Sequence, residues 1–172
     1  MKHFINGFIA AIMLLVVAGL AFILLGLAPV ATSAPPLPFE KLITSLALNA
    51  RVRKEMPPSS PIQPSDDVYA AGARIYRTNC AVCHGLPGQD PTTIAKGEFP
   101  KPPELFKGKG VSDDPPGETY WKVANGIRLT GMPGFTGSLS TDQMWQVTLL
   151  LANSDKLPAA VKTTLSQPLA LQ

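Results

Sequence analysis

Cys80-Ala81-Val82-Cys83-His84 decides how the rest of this chain is read. Two thiols three positions apart, followed at once by an imidazole, suit covalent attachment of a haem. Each sulfur can add to one vinyl group, and the histidine then stands beside the iron. A zinc site would need about four ligands, whereas the whole chain offers two Cys and two His, one of them His3. A dithiol redox site would place the pair at the start of a helix after a strand, but here a helical pattern runs into it.

That helical pattern begins after a proline-rich stretch. Ser65 reads as an N-cap with Asp66 and Asp67 in the first turn. Val68, Ala71, Gly72, Ile75 and Tyr76 then share one face that runs up to the motif. Gly72 costs a helix about 1 kcal/mol relative to alanine, so its presence suggests a close crossing with another helix. Near the other end Ser140 and Gln143 form a capping box ahead of the apolar run Met144–Ala152. That run is the expected crossing partner, with Trp145 over Gly72 and Tyr76 alongside. A third helix is expected over residues 118–125, with Gly126 just past its end.

The segments between are rich in glycine and proline, and no stretch shows the alternation of a paired strand. The expected fold class is all-α: a small haem domain of three to five helices, a poor core unless a cofactor fills its middle. From Pro158 the tail, Ala159 to Gln172, has little periodicity and reads as either a short helix or a disordered segment.

Upstream, Phe4 to Ala31 carries no charged residue, enough to cross a bilayer core of about 30 Å as a helix and longer than the apolar core of a cleaved signal, while the small residues Val30-Ala31 or Thr32-Ser33-Ala34 leave cleavage as the alternative to an anchor. Lys2 places the N-terminus in the cytoplasm, which puts the motif on the other side of the membrane, although Arg51, Arg53 and Lys54 oppose this orientation weakly. Pro35, Pro36 and Pro38 stop that helix. Phe39, Leu42, Ile43, Leu46 and Ala50 then recur at helical spacing, an amphipathic helix ending in Arg51, Arg53 and Lys54. Such a stripe can lie on the membrane, dock on a partner subunit or pack back onto the haem domain. The expected divisions are 1–34 anchor, 35–56 amphipathic helix, 57–65 proline-rich linker, 66–156 haem domain and 157–172 tail.

The formal charge is +3. From residue 60 onward ten Lys and Arg balance ten Asp and Glu. No basic stripe with interleaved aromatics exists, which excludes nucleic acid as a partner.

A haem iron has two axial sites. His84 is the first candidate, and His3 would lie across the membrane from it. Of five methionines, Met1 and Met13 belong to the anchor, Met56 to the linker and Met144 to the capped helix. Met132 stands in a glycine-rich loop, Gly131-Met132-Pro133-Gly134, where backbone can approach a flat ligand closely. Arg128, Thr130, Tyr120 and Trp121 are candidates to line the pocket or touch propionates.

Taken in order, Gly72 and Tyr76, Cys80 to Gly85, Gly131-Met132-Pro133 and Trp145 resemble a class I monohaem cytochrome c of the membrane-anchored bacterial type, over roughly residues 66–153. The resemblance implies crossed terminal helices and one covalent haem c with His84 and Met132 on its two faces. It also implies a proline carbonyl accepting the other histidine N–H, for which Pro87, Pro100, Pro102 and Pro103 compete. The implied function is one-electron transfer in a respiratory or photosynthetic chain, as a carrier or as a subunit beside a quinol-oxidising or terminal oxidase complex. An open-iron peroxidase or gas sensor and a structural subunit are the alternatives.

Overall fold

Residues 1–108 and 110–169 are described by the structure, a computed structural model. The chain divides into two compact units, residues 1–40 and 41–172. In the first, α1 (Lys2–Leu24) is a continuous apolar helix with no buried residue. At 1.5 Å per residue it is about 34 Å long, sufficient to cross a bilayer. The helix stops at Leu24, earlier than the apolar composition, and Gly26 turns the chain at φ 71°.

The second unit is all-helical, with no strand among the described residues. Its helices are α2 (Glu40–Glu55), α3 (Asp66–Asn79), α4 (Ala81–His84), α5 (Thr93–Gly97), α6 (Pro116–Asn125), α7 (Thr141–Ala152) and α8 (Ala159–Ser166). The local start signals operate as the sequence implies. The Ser65 hydroxyl accepts from the Val68 amide at 3.3 Å. At α7, Ser140 and Gln143 close both bonds of the capping box, at 3.2 and 2.8 Å. Gly126 ends α6 at φ 69°.

The core forms where α3 crosses α7. Ala73 and Tyr76 on α3 and Val147 and Leu150 on α7 are completely buried. Gly72 makes this approach possible: a Cβ there would strike the Gln146 carbonyl oxygen and lie 3.0 Å from Leu150 Cβ. The expected Trp145 contact is therefore corrected. Gly72 meets the backbone one residue further on, while the Trp145 ring stacks on Tyr120 of α6 at 4.2 Å and 15°.

Three segments differ from expectation. The tail beyond Pro158 takes the short-helix form of its two expected ones, and it is not separate from the domain: α8 packs on α3, and Leu157, Val161 and Leu165 are buried in the same core. Arg77 holds it there, donating to the carbonyls of Thr164, Gln167 and Pro168 at 3.0, 2.5 and 3.0 Å. The core thus runs past residue 156. Second, Phe39 has φ 64° and precedes α2, so the exposed stripe begins at Leu42. It is instead Leu48, half-buried, and Val52, 1% exposed, that α2 turns inward. Third, α5 forms in what reads as loop, because the Thr92 hydroxyl caps it from Ala95 N at 3.1 Å and donates to the Val82 carbonyl at 2.5 Å.

Candidate haem-binding site

The motif begins where α3 ends. The Cys80 amide still bonds to the Tyr76 carbonyl, 2.8 Å away, and α4 then supplies one further turn that carries Cys83 and His84. Gly85, at φ 73°, turns the chain away at once. The Tyr76 phenol pins this corner, donating to the Gly85 carbonyl at 2.7 Å. Burial raises the phenol's pKa, so it stays a neutral donor.

Cys80, Cys83, His84 and Met132 all line one cavity of about 230 Å³. The first three come from the α3–α4 corner and Met132 from the loop after α6. Its other walls are mainly apolar, including Leu105, Val123, Phe135 and Leu151. Burial, together with charge repulsion from Cys83, pushes the Cys80 thiol up to about 12. Cys83 is pushed up to about 11, by burial first and then by its hydrogen bond to Glu98. Both therefore stand as neutral thiols, and conversion to thioethers would abolish both titrations.

His84 is oriented by one contact. Its Nδ1 lies 2.8 Å from the carbonyl oxygen of Pro103. A carbonyl can only accept, so Nδ1 carries the proton and Nε2 is left as the lone-pair donor for a metal. Of the four competing prolines the structure selects Pro103.

The Met132 loop is held by its backbone and by the Thr130 hydroxyl. The Ile127 amide donates to the Met132 carbonyl at 3.2 Å, and the Met132 amide donates to Thr130 Oγ1 at 3.1 Å. Thr130 Oγ1 in turn donates to the Ile127 carbonyl at 2.7 Å. The Phe135 amide reaches the Val123 carbonyl at 2.9 Å, tying the loop to α6. Gly126 permits this crossing: a Cβ would lie 2.8 Å from the Met132 carbonyl oxygen and 2.6 Å from Pro133 C.

Of the expected pocket residues, Thr130 lines the cavity. Tyr120 is instead committed to Trp145, Trp121 Nε1 donates to Glu55 Oε2 at 3.2 Å, and Arg128 is exposed. The cavity also contains Glu98, which sequence reasoning missed. Its carboxylate accepts from Cys83 Sγ at 3.2 Å, and a Cβ on Gly131 would lie 2.8 Å from Oε1. No spacing marks Glu98; only the fold of residues 85–98 carries it back to the motif.

These residues fit a haem. Two thiols stand one helical turn apart, an imidazole presents Nε2, a thioether lies on the loop opposite in the chain, and the walls are apolar.

The family model for the cbb3-type cytochrome c oxidase, subunit III, matches residues 67–150. Cytochrome c6 of Limnospira maxima is 36% identical over 78 residues, which are 45% of this chain and 83% of that protein. A solved reducing HAO-like protein complex of Kuenenia stuttgartiensis gives a TM-score of 0.49 at 26% identity over 58% of this chain, which spans about half of the matched one, 49%. From the extent of the cytochrome c6 match, together with the all-helical fold, the chain belongs to the class I monohaem cytochromes c, which transfer electrons through a covalently bound haem c.

Proposed function

We propose that this cytochrome is a membrane-tethered one-electron carrier, its haem c bonded to Cys80 and Cys83 and its iron ligated by His84 and Met132. The observation that supports this most is that all four residues line one cavity, with His84 turned by Pro103 so that Nε2 is free. When bound, the haem supplies an iron that alternates between Fe(III) and Fe(II), one electron arriving from a reduced partner and one leaving to an oxidised partner. Pro103 holds the His84 proton at Nδ1 in both states. The hydrogen-bonded loop around Met132 restrains its thioether, which would hold the iron of a bound haem against competition from small molecules.

The apolar α1 serves as a single-pass anchor in a bacterial inner membrane, with the haem domain, α8 included, on the periplasmic side. Tethering raises the effective concentration near membrane-bound partners, which suits a near-neutral domain with little electrostatic steering. The partner is a redox complex of the membrane, quinol-oxidising or terminal oxidase. The description of the matching family model, an oxidase subunit III, favours the oxidase.

Carbon monoxide tests the ligand set. The reduced protein is expected not to bind it, whereas Met132→Ala should bind it readily. A wild type that binds carbon monoxide as well as the variant would overturn the closed-iron reading in favour of an open-iron enzyme or sensor. Cys80→Ala with Cys83→Ala should render the haem extractable by acidic organic solvent.

A further inference from the structure

The outward side of α2 takes no part in the candidate haem site. Leu42, Ile43 and Leu46 are 56%, 63% and 62% exposed, and Ala50, Arg53 and Lys54 are exposed with them. At 3.6 residues per turn these six fall within an arc of about 120°. Half-buried Leu48 and buried Val52 lie on the opposite side of the helix, turned toward the rest of their unit. The helix is thus apolar on two sides, and only one of them is covered by this chain. An apolar row of this length facing water marks a contact surface.

Two observations select what covers it. The first is continuity. Residues 25–39 join the end of α1 to the start of α2, and among these fifteen positions there is no charged residue. Fully extended they span at most about 50 Å, so the start of α2 stays within that distance of the end of α1. Leu25, Leu27, Val30 and Leu37 in that connection are themselves exposed, a composition of a bilayer interface rather than of a hydrated stalk. The second is charge. Arg53 and Lys54 continue the apolar row in the next turn and complement anionic headgroups, whereas Arg51 lies off this face and pairs with Glu55 at 2.7 Å.

We propose that this face of α2 rests on the membrane surface, with Leu42, Ile43 and Leu46 at the boundary of headgroups and acyl chains and Arg53 and Lys54 on anionic lipid phosphates. The proposal builds on the reading of α1 as an anchor. Its consequence is orientation. Because Leu48, on the other side of the same helix, forms part of the haem-cavity wall, a seated α2 sets the angle at which the pocket faces a membrane-bound redox partner.

The test uses the haem-loaded full chain in vesicles of phosphatidylcholine, with and without phosphatidylglycerol. Cysteine is introduced singly at Leu42, at Leu46 and, as a water-facing reference, at exposed Thr163. The rate of modification by a charged, water-soluble maleimide is then measured. In vesicles containing phosphatidylglycerol, Leu42→Cys and Leu46→Cys are expected to react about tenfold more slowly than Thr163→Cys. Adding salt or omitting the anionic lipid should narrow the difference. Equal rates at all three positions, in protein that floats with the vesicles, would overturn the α2 proposal alone. Ready disulfide cross-linking of Leu46→Cys between chains would assign the face to a second copy and also overturn it. Protein that fails to float would overturn the anchor and the proposal with it.

Discussion

His84 Nδ1 and the carbonyl oxygen of Pro103, nineteen residues apart in sequence, lie 2.8 Å from each other. This contact chooses the histidine tautomer and the ring's rotation, and its acceptor sits on a residue whose φ is fixed by its own ring. The chain thereby trades a flexible imidazole for one that presents Nε2 in a set direction.

Pro103→Ala retains the carbonyl but frees the backbone that aims it. A weaker bond at Nδ1 makes the imidazole a poorer donor and disfavours Fe(III). The reduction potential is expected to rise by on the order of tens of millivolts, in a spectroelectrochemical titration. An unchanged potential would mean that Pro103 positions nothing.

Glu98→Gln removes a carboxylate from the cavity that contains Cys83 and Met132. A negative charge there favours the more positive iron state, so its loss should also raise the potential, by on the order of tens of millivolts after solvent screening. Glu98→Asp, which keeps the charge, should retain most of the original value. If both variants shift equally, the effect is packing and not charge.

Gly72→Ala should destabilise the fold although alanine is the better helix former. The gain of about 1 kcal/mol in propensity is outweighed, because the new methyl meets the Gln146 carbonyl oxygen and Leu150 Cβ. A net loss of about 1–3 kcal/mol is expected in denaturant unfolding of the haem-loaded protein.

Arg77→Ala withdraws three donated hydrogen bonds from the carbonyls that end α8. Hydrogen exchange should show amides of Val161 to Leu165 losing protection while those of α7 keep theirs. The local cost is about 1.5–3 kcal/mol, the range for a hydrogen bond to a charged group.

Much of this protein was legible from sequence because its signals are short-range or rest on counting. Cys80, Cys83 and His84 stand within five consecutive residues, so the spacing that suits a porphyrin's two vinyl groups can be read without any fold. Met132 stands out because the other methionines and His3 have elsewhere to be. The caps at Ser65 and Ser140 satisfy amides three residues away, so they depend on little beyond their own turn. An all-helical fold with an apolar N-terminal helix follows from helical periodicity, the lack of strand alternation and one long uncharged run.

What only the tertiary structure decided involves groups that meet across long stretches of chain. Pro87, Pro100, Pro102 and Pro103 are chemically equivalent acceptors, and the path of residues 85–103 singles out one. Glu98 carries no pattern that ties it to Cys83, and α8 has too short a period to announce itself until Leu165 finds α3. On α2 the stronger apolar stripe, Leu42, Ile43 and Leu46, is exposed, while Leu48 and Val52 turn inward. Periodicity states that a face is apolar; which surface covers it depends on what the tertiary structure brings within reach.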